Sequence, residues 1–160
     1  MADARRPRIV VAEDDPAILD LVRTRLEIAG YEAFYARDGF RALEKIIAVQ
    51  PAGVVLDINM PGLDGFGVLS RLKQDVRTRD IPVLVLSARN AGEDVARCLK
   101  LGAKDYLTKP FEDRMLLARV SRLVRKTAPR PAQGPAELQT PAPVTAHAPP
   151  APPEADSYLI

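Results

Sequence analysis

Residues 53–62 read GVVLDINMPG, an apolar run that stops at a single acid, Asp57. Val54, Val55 and Leu56 carry no polar side chain. A β-branched run this short, apolar on every residue, predicts a strand covered on both faces, as in a parallel sheet. The pattern returns on either side. Ile9-Val10-Val11-Ala12 runs into Glu13-Asp14-Asp15, and Val83-Leu84-Val85-Leu86 meets Ser87-Ala88. Two weaker strands fit around 31–35 and 104–107, the second leading into Thr108-Lys109-Pro110.

Segments of helical period fill the gaps. Leu19, Val22, Leu26 and Ala29 recur at steps of three and four, between Pro16 near the start and Gly30 just past the end. Phe40, Leu43 and Ile47 mark a second helix, and Phe66 and Leu69 after Gly65 a third. Val95, Cys98 and Leu99 mark a fourth, closed by Gly102 where a left-handed residue is wanted. Leu116/Leu117, Val120 and Leu123/Val124 mark the last. Five strands alternating with five helices predict right-handed crossovers and a doubly wound α/β fold. The domain is expected to span 8–126 after a short lead, 1–7. Residues 127–160 hold nine of the 15 prolines and few large apolar groups, so a disordered Pro/Ala-rich tail is expected there.

Composition excludes several function classes. Cys98 is the only cysteine and His147 the only histidine, the latter among prolines. A disulfide framework, a thiolate zinc site and histidine-based acid–base catalysis are therefore not expected. Residues 1–126 hold 22 Lys/Arg against 18 Asp/Glu, and the tail leans acidic. Neither part has the footprint of a nucleic-acid binder, and no DNA-binding domain is expected. No apolar run reaches the ~20 residues of a membrane helix, and the start is no signal peptide. A cytoplasmic location is expected.

The chemistry gathers at the strand ends. In an open α/β sheet, ligands bind beyond the carboxyl ends of the strands where their order reverses. If the first and third strands are neighbours, Glu13, Asp14 and Asp57 face one another there. Three carboxylates at ~5 Å repel by roughly 1–3 kcal/mol per pair. A divalent cation with oxygen ligands would neutralise them, and Mg²⁺ suits that donor set. A carboxylate can act as nucleophile toward a phosphoryl group. Lys109 would supply a cation and Ser87 a short hydroxyl donor, which is most of what phosphoryl transfer requires.

Glu13-Asp14 after a strand, Asp57-x-x-Met60-Pro61-Gly62, Ser87-Ala88 and Lys109-Pro110-Phe111 together resemble the signature of response-regulator receiver domains, the CheY-like superfamily of two-component systems. The resemblance covers residue 8 to about 126. It implies a flavodoxin-like sheet of order 2-1-3-4-5, with Asp57 taking a phosphoryl group from a histidine kinase or phosphotransfer protein. It implies Mg²⁺ held by Asp14, Asp57 and the carbonyl of Asn59, with Glu13 acting through water. It also implies a switch pair, Ser87 and Tyr106, a cis Lys109-Pro110 bond, and self-dephosphorylation influenced by Asn59 and Arg89. On this reading the chain is a stand-alone receiver of a two-component or phosphorelay system. It is not a turnover enzyme, and it signals to a protein partner through the face of the fourth helix, fifth strand and fifth helix.

Two alternatives remain open on the sequence. The chain could be a receiver portion of a larger output protein, since Met115–Val124 resembles the fifth helix of receivers joined to diguanylate cyclases. Or Arg97, Lys100, Lys104, Arg114, Arg119, Arg122 and Arg125 could make a basic face for an anionic ligand such as a cyclic dinucleotide. An aspartate phosphatase of the haloacid-dehalogenase type is disfavoured, because that family wants an acid where Asn59 stands.

Overall fold

The computed structural model describes residues 5–88 and 92–125. Strands and helices alternate as β1 (Arg8–Ala12), α1 (Pro16–Ile28), β2 (Glu32–Ala36), α2 (Gly39–Val49), β3 (Gly53–Asp57), α3 (Gly65–Gln74), β4 (Val83–Ser87), α4 (Gly92–Lys100), β5 (Asp105–Thr108) and α5 (Asp113–Arg125). All strand pairs are parallel, in the order β2-β1-β3-β4-β5. The flavodoxin-like order expected from the resemblance is the observed one. The two weaker strands, β2 and β5, each lie one residue further along than 31–35 and 104–107. Residues 1–4 of the lead, Arg89, Lys126 at the expected end of the domain and the tail 127–160 lie outside the described residues.

Strand side chains alternate between two layers, as a period of two requires. Val10, Val54, Leu56, Val83 and Val85 pack with Ala42 and Ile46 of α2, Leu69 and Leu72 of α3, and Cys98 of α4. Ile9, Val11, Val55, Leu84 and Leu86 pack with Leu19, Val22 and Leu26 of α1 and Leu116, Val120 and Leu123 of α5. Burying a side chain of this size is worth roughly 1.5–3 kcal/mol. The apolar strands are therefore covered twice, and the site is left to form at their ends.

The helix ends follow from capping chemistry. Asp15 caps α1, its carboxylate accepting from the backbone N–H groups of Ala17 and Ile18, and Pro16 needs no such partner. Gly102 closes α4 at φ +104°, where its own N–H bonds Leu99 and the N–H of Ala103 bonds Cys98. Cys98 is fully buried, as expected of a core cysteine.

The second helix departs from expectation. Phe40, placed inward by apolar spacing, is 53% exposed, and the buried residues are Gly39, Ala42 and Ile46. A Cβ on Gly39 would overlap the Leu63 carbonyl, so backbone packs on backbone there. That contact sets α2 against the loop following β3. A side chain on Gly65 would likewise meet the Asp57 carbonyl oxygen at 2.5 Å and Ile58 Cα at 2.6 Å. The loop after Asp57 is thus held closely at both ends. No helix among the described residues is long and apolar enough to cross a membrane.

Candidate functional site

Strand order and register assemble the site. β1 lies between β2 and β3, so the crevice opens where successive connections leave in opposite directions. Ala12 pairs with Leu56, which sets the next residues, Glu13 and Asp57, side by side. Asp57 in turn pairs with Leu86, and Ser87 with Thr108. The Lys109 N–H donates to the Ser87 carbonyl at 2.9 Å, fastening the end of β5 to β4. The Lys109–Pro110 peptide is cis, as the resemblance implied.

Glu13 and Asp57 are 1% and 3% exposed, an unusual depth for carboxylates. Oxygens of Glu13, Asp14 and Asp57 lie within 4.8 Å of one another, with Asp14 on the solvent side. Lys109 reaches into this group. Its Nζ stands 2.6 Å from Glu13 Oε2 and 3.3 Å from Asp57 Oδ1. The Asp15 N–H donates to the other Glu13 oxygen at 3.2 Å. The crowding expected from the sequence is therefore relieved in part by a cation already present.

Burial dominates the protonation of both deep acids. It pushes the Glu13 carboxyl up to about 7, against the lowering pull of the Lys109 hydrogen bond. It also raises Asp57, against the Lys109 charge and hydrogen bond and the Asn59 N–H that donates to its carboxylate. Burial works against the Lys109 charge too, but the Glu13 hydrogen bond and both carboxylates outweigh it and hold the ammonium above its ordinary value.

A stability prediction follows for the metal-free protein. The folded state holds a proton on Glu13 over a range where the unfolded chain has released it. The raised Glu13 and Asp57 values therefore make stability fall as pH rises from about 4.5 through about 7. The Glu13 share is up to about 3 kcal/mol. Urea unfolding in EDTA at pH 5–8 should show this slope in wild type and a shallower one in Glu13→Gln. Equal slopes would assign the effect elsewhere.

The donor set fits Mg²⁺. Three carboxylates offer only hard oxygen atoms, and with Lys109 they leave two negative charges when all are ionised. Asn59 is exposed two residues beyond Asp57. Ser87 is fully buried at the end of β4. Tyr106 is half-buried on the adjacent strand, opposite Val85, and packs against the layer that contains Cys98 and Ala103. All seven expected site residues thus lie at or near the carboxyl ends of β1, β3, β4 and β5.

Several contacts were not anticipated. The Lys109–Glu13 pair joins residues 96 apart, which no local pattern reveals. Arg37 donates to the Asp14 carbonyl oxygen at 3.4 Å. Asp105 accepts from both Arg119 and Arg122. Arg97 lies 4.0 Å over the Phe66 ring. Asp105 thus offsets part of the charge that Arg119 and Arg122 bring to the basic face.

Comparison with known proteins agrees with this geometry. The family description "Response regulator receiver domain" matches residues 9–121. The DNA-binding dual master transcriptional regulator RpaA of Synechocystis sp. is 47% identical over 121 residues, covering 76% of this chain and 50% of RpaA. The chain spans about half the length of the curated relatives it matches. Among solved structures, the Francisella response regulator 1452 receiver domain superposes with a TM-score of 0.72 at 37% identity, covering 76% of this chain and 99% of that one. The receiver domain of a sensor histidine kinase from Pseudomonas aeruginosa, solved with a magnesium ion coordinated in its active site cleft, gives 0.70 at 26% identity, with coverages of 75% and 98%.

Proposed function

The chain belongs to the response regulator receiver domain family, and from that premise we propose that Asp57 accepts a phosphoryl group from a histidine kinase or phosphotransfer protein. The observation that carries this reading is a buried aspartate at the sheet's switch point, sharing one lysine with a second buried acid. An Asp57 oxygen attacks phosphorus in line. The new O–P bond forms as the donor's N–P bond breaks, and the freed imidazole nitrogen takes a proton from solvent. Lys109, 3.3 Å from the acceptor oxygen, needs little movement to meet a phosphoryl oxygen. Ser87 lies one strand over to donate its hydroxyl.

Asp14, Asp57 and the Asn59 carbonyl would hold Mg²⁺, with Glu13 acting through water. Bound there, the ion would neutralise charge on the phosphoryl oxygens. The protein is not a turnover catalyst on this account: it phosphorylates and dephosphorylates only itself, in the cytoplasm.

Its output is a conformational switch. Drawing Ser87 toward the phosphoryl group frees space that Tyr106 fills by turning further inward, changing the face of α4, β5 and α5 for a protein partner. The matched segment makes up only about half of the curated relatives' length, so that partner could lie within the same polypeptide or on another. The change is a shift between populations already present. Beryllofluoride with Mg²⁺, which mimics the aspartyl phosphate, should perturb amide NMR signals of residues 92–109 well away from Asp57. Changes confined to the neighbours of Asp57, with Tyr106 and α4 silent, would reject the switch.

A further inference from the structure

A cavity of about 530 Å³ opens between the end of β2 and the outer side of α2, and none of the clustered acids lines it. Ala36 and Ala48 are among its lining residues, and their small side chains leave the space open. Tyr35 forms one wall although it is 49% exposed, on a strand at the edge of the sheet. Its ring also borders a smaller cavity beside α1, where Arg23 lies 5.7 Å from the ring centre. An aromatic ring that borders a concavity offers a stacking platform there, beside the Arg23 contact it already makes.

The charges around it are uneven. Arg37, Arg41 and Lys45 line the larger cavity against one acid, Glu44. Arg41 and Lys45 stand one helical turn apart and so share a face of α2. Arg23 is already paired with Asp20 and Glu27, and Arg41 with Asp38. Arg37 and Lys45 have no carboxylate partner among the described residues. Among the described residues, Arg37 donates only to the Asp14 carbonyl oxygen, at 3.4 Å.

We propose that this cavity binds a nucleotide, with the base stacked on Tyr35 and the phosphate held between Arg37 and Lys45. The volume falls within the roughly 300–1,000 Å³ usual for small-molecule sites. Stacking needs only an exposed π face, and two cations with no carboxylate partner among the described residues supply the anion site. An inorganic anion would leave Tyr35 without a role, and an apolar ligand would leave Arg37 and Lys45 without one. Arg37 also touches the backbone of Asp14, so an occupied cavity would bear on the acid cluster.

The test is an NMR titration of the full chain in EDTA with AMP, GMP, adenosine, guanosine and orthophosphate. Neither metal nor phosphoryl transfer takes part, so failure of Asp57 as an acceptor would leave this result untouched. At least one nucleotide should shift amides of residues 35–48 saturably. Its nucleoside and orthophosphate should each bind at least about tenfold more weakly. Tyr35→Ala should weaken nucleotide binding by about 5- to 100-fold. The double variant Arg37→Gln/Lys45→Gln should lose at least about tenfold, with melting temperatures confirming that both variants fold. No saturable shift at millimolar nucleotide, binding undiminished in either variant, or orthophosphate binding as well as nucleotide would overturn the proposal.

Discussion

Incubated with acetyl phosphate and Mg²⁺, the wild-type protein should gain one phosphoryl group by intact mass, and Asp57→Asn should gain none. Asparagine preserves the shape of a side chain that is 3% exposed, so the packing around it survives. The Lys109–Glu13 pair at 2.6 Å is also independent of Asp57 and should keep the local structure in place. What disappears is the anionic nucleophile, because an amide oxygen is a poor one. The neighbouring acids are poor replacements. Glu13 is bound to Lys109 and to the Asp15 N–H, and Asp14 lies at the solvent side. The loss should therefore be complete to within detection. Equal mass gain in wild type and variant would remove Asp57 from the chemistry.

Lys109→Met should produce the largest change in stability. Methionine keeps a flexible apolar stem but removes the ammonium that reaches two buried carboxylates. Breaking a buried ion pair costs about 3–5 kcal/mol when the partner is left charged. Here a proton can take the ammonium's place, since burial already raises Glu13 to about 7. The cost thus depends on pH. Removing Lys109 lifts both acids further above their unfolded values, so the variant loses stability more steeply as pH rises. Lys109 itself, with a raised value, is protonated in both folded and unfolded states below its ordinary 10.5, so the pH dependence in this range comes from the two acids. Urea unfolding in EDTA should place the variant about 2–4 kcal/mol below wild type at pH 8, with a smaller gap at pH 6. A gap that widened toward acid would mean that the acids are held by other groups. Phosphoryl uptake should fall as well, because the cation nearest the acceptor oxygen is gone.

Much of this architecture is legible in the sequence because parallel strands advertise themselves. Runs such as Val54-Val55-Leu56 and Val83-Leu84-Val85-Leu86 are apolar on both faces, and the polar residue that ends each run marks the functional edge of the sheet. The edge strands are weaker because only part of each is covered, which is why β2 and β5 were displaced by one residue. Phe40 misled for a different reason. Hydrophobicity ranks a phenylalanine above a glycine, but α2 turns Gly39 inward because only a residue without a Cβ lets its backbone approach Leu63. Glu13, Asp14, Asp57, Ser87 and Lys109 could be gathered from strand-end positions once the strand order was supplied by resemblance, whereas Asn59 and Tyr106 came from the resemblance alone. Their electrostatics could not. Charge pairing between Lys109 and Glu13, or between Asp105 and the two arginines of α5, depends on side chains meeting across the fold.

The central claim is that Asp57 itself carries the phosphoryl group, and chemical trapping tests it most directly. Borohydride reduces an aspartyl phosphate to the corresponding alcohol, converting the modified residue to homoserine. After incubation with acetyl phosphate and Mg²⁺, followed by borohydride, peptide mass spectrometry should find homoserine at position 57 and aspartate everywhere else. Reduction at Asp14 or Glu13 instead, or a phosphoryl group surviving on a serine, tyrosine or His147, would contradict the account.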